Sequence, residues 1–291
     1  MEWLNIVIQG VLLGGLYAML ATGLSLVFGV MRLVNLAQGD LTILAAFLSL
    51  SLVQLTGMDP LLTLVVVVPV MMLVGAVMQR FLLDRTLNRG PLPPLLVTFG
   101  LAVILQNVLL TLYTADSRGL DVGALEGQGI RINDQISIGV FALLTLLVAV
   151  AVLVGLQLLL SRTALGRALR ATSDDTDAAR IVGIDDRRIY MTATAIAMGT
   201  VAIGGVFLGI RTTFGPLDGP ARLIFAFEAV IIGGLGSLWG TLVGGIALGI
   251  AQAVGSQINP ADGILAGHLL FLTVLAFRPQ GLFARTEARQ A

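Results

Sequence analysis

The chain has no cysteine, no lysine and one histidine, His268, among its 291 residues. The missing cysteine excludes disulfides, thiol nucleophiles and thiolate metal sites together. The missing lysine excludes the G-x-x-x-x-G-K-[ST] loop, whose lysine reaches the phosphates of a bound nucleotide. Any ATP hydrolysis that serves this protein must therefore occur on another subunit. Charge is scarce too: 12% of residues are charged, against about 25% in soluble proteins. The formal net charge is zero, so no nucleic acid or acidic surface is implied as a partner. His268 falls in an apolar run, where a lone histidine packs against a neighbour more often than it binds metal. No metal site and no cofactor is expected.

What the chain has is apolar surface. Hydrophobic residues make up 57% of it, and its mean hydropathy is +0.97. Several runs reach the roughly 20 residues needed to cross a bilayer core. This predicts an all-α polytopic membrane protein of about eight or nine transmembrane helices, some short or broken, in one transmembrane domain over 1–291. Nine spans are expected: Asn5–Val30, Asp40–Leu55, Leu61–Gln79, Leu92–Tyr113, Ile136–Leu160, Ile189–Ile210, Arg222–Leu235, Gly240–Gly255 and Pro260–Phe277. Two of them, Asp40–Leu55 and Arg222–Leu235, are short for a full crossing and read as tilted, broken or re-entrant. The first run opens on acidic Glu2 rather than a basic stretch and is too long for a signal peptide's apolar core, so it reads as a first transmembrane helix.

One stretch cannot lie in hydrocarbon. Residues 161–188, SRTALGRALRATSDDTDAARIVGIDDRR, hold six of the 17 arginines and five of the 17 acids. Leu165, Leu169 and the alanines 164 and 168 form an apolar edge at helical spacing. Ser173 is placed to cap a second helix, from about Asp174 to Val182. Asp174, Asp175 and Asp177 fall in its first turn, where the helix dipole favours acids, and Gly183 terminates it. Mixed charges and small apolar residues suit docking into a protein groove better than lying on headgroups. Arginine placement supplies an orientation. With this stretch in the cytoplasm, thirteen arginines fall on its side (Arg32, Arg80, Arg85, Arg89, the six here, Arg278, Arg285, Arg289). The other side keeps Arg118, Arg131, Arg211 and Arg222 and collects most of the loop acids. Nine crossings then place the N-terminus outside and the C-terminus in the cytoplasm. The outer loop Thr114–Gln135, glycine-dotted and acidic, reads equally as solvated loop or as a docking surface.

Polar side chains at membrane depth are costly and are candidate sites by default. They are Asn35, Gln38 and Asp40 in VNLAQGDL, where a helix restarts, Glu228 in FAFEAVIIGG, and Thr98, Gln106 and Asn107 in the fourth span. Thr98 and Gln106, eight apart, share a face. Six residues separate Arg222 from Glu228, which is not a helical neighbour spacing. Glycines four apart (Gly236, Gly240 and Gly244; Gly245 and Gly249; Gly205 and Gly209; Gly10 and Gly14) make faces on which a second helix backbone can approach closely.

Four stretches resemble one family. MRLVNLAQGDLTIL (31–44), GRALRATSDDTDAARIVGID (166–185), FEAVIIGGLGSLWGTLVGG (227–245) and FRPQGLF (277–283) are similar to the LivH-type permease subunits of branched-chain amino acid ABC importers. The resemblance spans nearly the whole chain. It implies that 161–188 is a cytoplasmic coupling segment docking on an ATP-binding subunit, with Arg167, Arg170, Asp174, Asp177, Arg180 and Gly183 at the contact. It also implies a second homologous permease, two ATP-binding subunits and an extracytoplasmic substrate-binding protein, in a bacterial inner membrane. Asn35, Gln38, Asp40, Thr98, Gln106 and Glu228 would line the substrate path. Similar permeases also move urea, short amides or aromatic acids. An ion-coupled secondary transporter using Asp40 and Glu228 is the competing class. An intramembrane enzyme is remote, because the chain carries almost no nucleophile–base or metal inventory.

Overall fold

The structure, a computed structural model, describes residues 2–87, 90, 92–133 and 136–283. Arg89, Asp134, Arg285 and Arg289 of the charge tally lie outside the described residues, as do the side chains of Glu2, Glu126 and Arg131. In chain order the elements are α1 (Glu2–Met31), α2 (Gln38–Thr56), α3 (Leu64–Met78, prolonged by a π-helical turn Gln79–Leu83), α4 (Leu92–Tyr113) and α5 (Ala124–Gly127). A two-stranded antiparallel hairpin follows, β1 (Gly129–Asn133) and β2 (Ile136–Gly139), then α6 (Val140–Arg162), α7 (Ala164–Asp174) and α8 (Thr176–Ile181). The chain continues with α9 (Asp186–Arg211), α10 (Gly219–Gly233), α11 (Leu238–Ile258) and α12 (Gly263–Phe277).

Eight of these helices are long and apolar enough to cross a membrane. Their backbone groups bond within each helix, as lipid requires. They are not equivalent. The apolar windows of α1 and α9 are 83% buried, whereas those of α4, α6 and α12 are 17%, 22% and 11% buried. So α1 and α9 form the centre, with Met19, Leu20, Leu24, Met198, Val201 and Phe207 in the core, and the other three are peripheral. Glycine sets the crossing of α1 and α11. A Cβ on Gly10 or Gly14 of α1 would run into the backbone of Ile250 or Ile246, and one on Gly249 of α11 into that of Gly10. Here two small-residue faces meet as the spacing predicts. Gly236 does not share such a face: it lies in the α10–α11 turn, against Gly29.

The two spans expected to be short meet at their N-termini: α2, at 19 residues, is itself long enough to cross, whereas α10, at 15, is a half-helix. Gln38, at the start of α2, lies against Gly23 of α1, eight residues and about 12 Å short of that helix's end. From there α2 rises towards the hairpin end of the bundle, where Phe47 stacks on Tyr113 at the end of α4. After α9 reaches the same end, the irregular stretch 212–218 descends, and α10 begins against α2: a Cβ on Gly39 would fall into the Gly219 carbonyl. Fifteen residues carry α10 on to the α7 end. α10 completes a pass together with the irregular segment before it, so with the eight longer helices the described residues traverse the bundle nine times, and their two ends lie at opposite ends of it.

Three expectations change. The expected span Ile136–Leu160 starts at Val140, because 136–139 form β2. The loop 114–135 is folded rather than plainly solvated: Arg118 and Phe214 exchange backbone hydrogen bonds of 2.9 and 2.8 Å, and Leu120 N–H reaches Gly209 O. Arg211 is a partly buried helix residue, the last of α9, not a loop cation, while Arg222 lies in the first turn of α10 as its place at the start of the span Arg222–Leu235 implied.

Candidate functional site

The half-helix junction gathers five of the six predicted path residues. Asp40 sits in the first turn of α2 and against the N-terminus of α10, where a Cβ on Gly219 would strike its carboxylate. Two positive helix ends thus face one buried acid. Gln106 Nε2 of α4 donates to Asp40 Oδ1 at 2.9 Å. Two turns earlier on the same face, Thr98 Oγ1 accepts from Leu36 N–H at 3.2 Å. Asn35 Oδ1 accepts from Ala37 N–H at 3.0 Å. The cluster is polar and incompletely satisfied: Asn35 Nδ2 and both amide atoms of Gln38 are buried with no hydrogen-bond partner. Because Asp40 already fills the positive helix ends, they are not open to a second anion.

Glu228 is elsewhere. Nine residues beyond Gly219 along α10 set it about 13 Å from the junction, buried at 3% exposure. Its Oε1 bonds His268 Nδ1 of α12 at 2.5 Å, and Oε2 has no partner. The His268 ring lies parallel to Phe225, Phe225 packs on Tyr17 of α1 with centroids 5.2 Å apart, and Tyr17 O–H donates to Gln252 Oε1 of α11. Four helices thus contribute one chain of aromatic and polar groups. Asn107, by contrast, is exposed and bonds its own helix at Val103 O.

At the opposite end, α7 is capped by Thr163, whose hydroxyl accepts from Gly166 N–H. The second cap is Asp175 rather than Ser173: α7 runs through Ser173 and Asp174, and the Asp175 carboxylate accepts from Asp177 and Ala178 N–H at 2.9 Å each. The extended backbone at Asp175 breaks the helix and aims its carboxylate at those free amides. Gly183 ends α8 at φ +86, with Gly183 N–H on Arg180 O and Ile184 N–H on Ala179 O, a Schellman closure. Arg180 pairs with Asp186 at 2.8 Å and Asp177 at 3.3 Å. Arg167, Asp174 and Asp177 are exposed. Arg170 turns inward and, with Ser25, Gln157, Ser173 and Trp239, lines a cavity of about 440 Å³.

The sequence matches a known family. A family described as branched-chain amino acid transport system, permease component, matches residues 6–275. The chain belongs to this family. It is 28% identical to the high-affinity branched-chain amino acid transport system permease protein BraD of Pseudomonas aeruginosa, over 99% of this chain and 98% of that one. It is 28% identical to LivH of Escherichia coli, over 97% and 96%, and 31% identical to LivM of the same organism, over 44% of this chain and 30% of LivM. The protein is a multi-pass membrane protein of a transport family.

For this permease the sequence named the junction residues without bringing them together, and it gave Glu228 no partner. Its partner His268 lies 40 residues away, and Tyr17, Phe225 and Gln252 gave no motif. The one available signal was that the only histidine and the most isolated acid both sit in spans. Removing one partner leaves the other buried and unpaired. His268→Phe is therefore expected to lower the stability of the detergent-solubilised protein by about 2 kcal/mol. A Glu228→Gln, His268→Phe double variant should recover part of that loss. A thermal-melting cycle in which the two changes simply add would refute the pairing.

Proposed function

We propose that this chain is the membrane-spanning subunit, one transmembrane permease domain, of an ATP-driven importer of branched-chain amino acids, with ATP hydrolysed on separate ATP-binding subunits. The observation that carries the reading is the end of α8. Ile181 and Val182 are 87% and 75% exposed in the one segment too polar for the bilayer. They project from a helix fixed by the Asp175 cap, the Arg180–Asp186 pair and the Gly183 closure. Such a rigid, exposed apolar knob suits insertion into a groove on a soluble protein. The similarity to both LivH and LivM supports a second, homologous permease beside this one, and the relatives' names support the amino-acid cargo. On this reading α7 and α8 are cytoplasmic, the N-terminus and the β1–β2 hairpin face outside towards a substrate-binding protein, the C-terminus is inside, and the membrane is the bacterial inner membrane. Asn35, Gln38, Asp40, Thr98, Gln106 and Glu228 belong to the path.

Co-expression with the neighbouring permease and ATP-binding subunits tests the assembly: affinity capture of this chain is expected to retain an ATPase, and reconstituted vesicles should take up leucine only with ATP. Uptake that survives ATP depletion but collapses with the membrane potential would select an ion-coupled transporter instead, a role that the pair of buried Glu228 and half-exposed His268 makes the competing one.

A further inference from the structure

Between the polar segment and the bundle lies a cavity whose polar groups are left without partners. It measures about 440 Å³ and is walled by α1, the end of α6, α7, the α10–α11 turn and Phe283. Arg170 lines it from α7. Among the described residues, this arginine makes no hydrogen bond and no ion pair. Ser25 of α1, also in the wall, is 0% exposed, and its hydroxyl has no partner. A serine or threonine inside a helix commonly turns its hydroxyl back to the carbonyl four residues earlier, as Thr22 does to Ala18 O. Ser25 does not. The third polar element is the N-terminus of α11, whose first amides have no carbonyl to meet within the helix. The Ser237 hydroxyl takes the Gly240 N–H at 3.1 Å. That leaves the amides of Leu238 and Trp239, two residues of the wall. No acid is among the lining residues.

A guanidinium, an unmet hydroxyl and a helix N-terminus around one space without an acid specify an anion. Much of the remaining wall is apolar (Leu26, Val30, Leu160, Leu169 and Phe283), so the anion carries an apolar part. One cation and no acid match the single negative charge of a phosphodiester and offer nothing to an ammonium group. The place agrees. The cavity lies where the apolar run of α6 ends and the polar segment begins, which is headgroup level. Trp239, 45% exposed at its rim, is a residue type that gathers at that level. We infer that this cavity holds the phosphate of an anionic glycerophospholipid. Arg170 binds the phosphate oxygens by charge-assisted hydrogen bonds, Ser25 and the α11 amides supply further donors, and the glycerol and first acyl carbons lie against the apolar wall. The bound lipid then ties α7 to the turn that links α10 and α11. This site needs neither a cargo nor an ATPase to exist.

The full-length chain, purified in detergent with the subunits that accompany it and stripped of lipid, is incubated with phosphatidylglycerol bearing a diazirine beside its glycerol backbone, then illuminated. Mass spectrometry is expected to find the label on the peptides that contain Leu160, Leu169 and Trp239. Unlabelled phosphatidylglycerol should suppress it, phosphatidylethanolamine severalfold less well, and inorganic phosphate at the same concentration not at all. Arg170→Gln should lower this labelling about tenfold, and Arg170→Lys should retain more of it. Arg162→Gln, at an exposed arginine of the same segment outside the cavity, should leave it unchanged. Label spread over α4 and α12 with none at the cavity would overturn the site, as would equal labelling of the Arg170→Gln and Arg162→Gln proteins. Suppression by inorganic phosphate as strong as by lipid would make this a site for free phosphate, and the lipid assignment would fall. The competition series uses only the wild type, so it decides the matter even if Arg170→Gln does not fold.

Discussion

Gly219→Ala is expected to remove most of the folded protein from the membrane. A methyl group at this position would enter the carboxylate of Asp40 and approach its Cα. Neither can step aside. Asp40 is held by Gln106 and by its place in the first turn of α2, and a Cβ on the opposing Gly39 would meet the Gly219 carbonyl. Overpacking in a core that can shift costs about 1–3 kcal/mol. Here relief requires two helix ends to separate, exposing their free N–H groups and the Asp40 charge to lipid, so the cost exceeds that range. Against a total stability of about 5–15 kcal/mol, the loss is disabling. Gly100→Ala is the control: nothing lies within 4 Å of its Cβ position, and alanine is the better helix former by up to about 1 kcal/mol. Monodisperse, detergent-extracted protein measured by size-exclusion chromatography should collapse for Gly219→Ala and hold for Gly100→Ala. Equal yields would show that the junction tolerates an extra atom and is not tightly locked.

That contrast explains what could be read from the sequence. Hydropathy located the spans because a bilayer demands unbroken apolar length, a demand that each segment meets alone. It marked α10 as too short, which it is, and α2 as well, which at 19 residues is long enough to cross. What it did not contain was that their N-termini meet, because that depends on which segments become neighbours. Gly39 and Gly219 look like any of the 35 glycines until each is seen to face backbone. The glycine pairs of α1 and α11 were legible, since four-residue spacing is a local signal, whereas Gly236 shared the spacing without sharing a helix. Caps behaved similarly. Ser173 and Asp175 are both good caps by residue type, and the extended backbone at Asp175 decided between them. Arg211 was misplaced because a charge at the edge of an apolar run reads as loop. A half-helix that starts inside the bundle carries its first turn, and any charge in it, down with it.

The second large effect is expected at α8. On the proposed reading, an Ile181→Asp, Val182→Asp double variant should fold normally and no longer retain an ATP-binding subunit. Folding is spared because these side chains are 87% and 75% exposed and outside the core. Association is not spared. A central apolar contact at a protein interface contributes about 2 kcal/mol or more, which weakens binding about thirtyfold, and two added carboxylates must also be desolvated. The mechanical consequence follows from the neighbours of α8. The Arg180–Asp186 pair ties it to the start of α9, a central helix that ends at Arg211. α7, one residue before it, shares the inward cavity of about 440 Å³ with the Gly236–Ser237 turn that follows α10. Motion imposed on α8 therefore reaches both helices whose far ends carry the arginines and the junction. Captured complexes of the variant should contain less ATPase, and leucine with binding protein should no longer stimulate hydrolysis. Arg118→Ala, at the hairpin end, should leave ATPase retention at the wild-type level. A double variant that keeps its ATPase and its stimulation would mean that the knob is not the contact, and force would have to enter the bundle elsewhere.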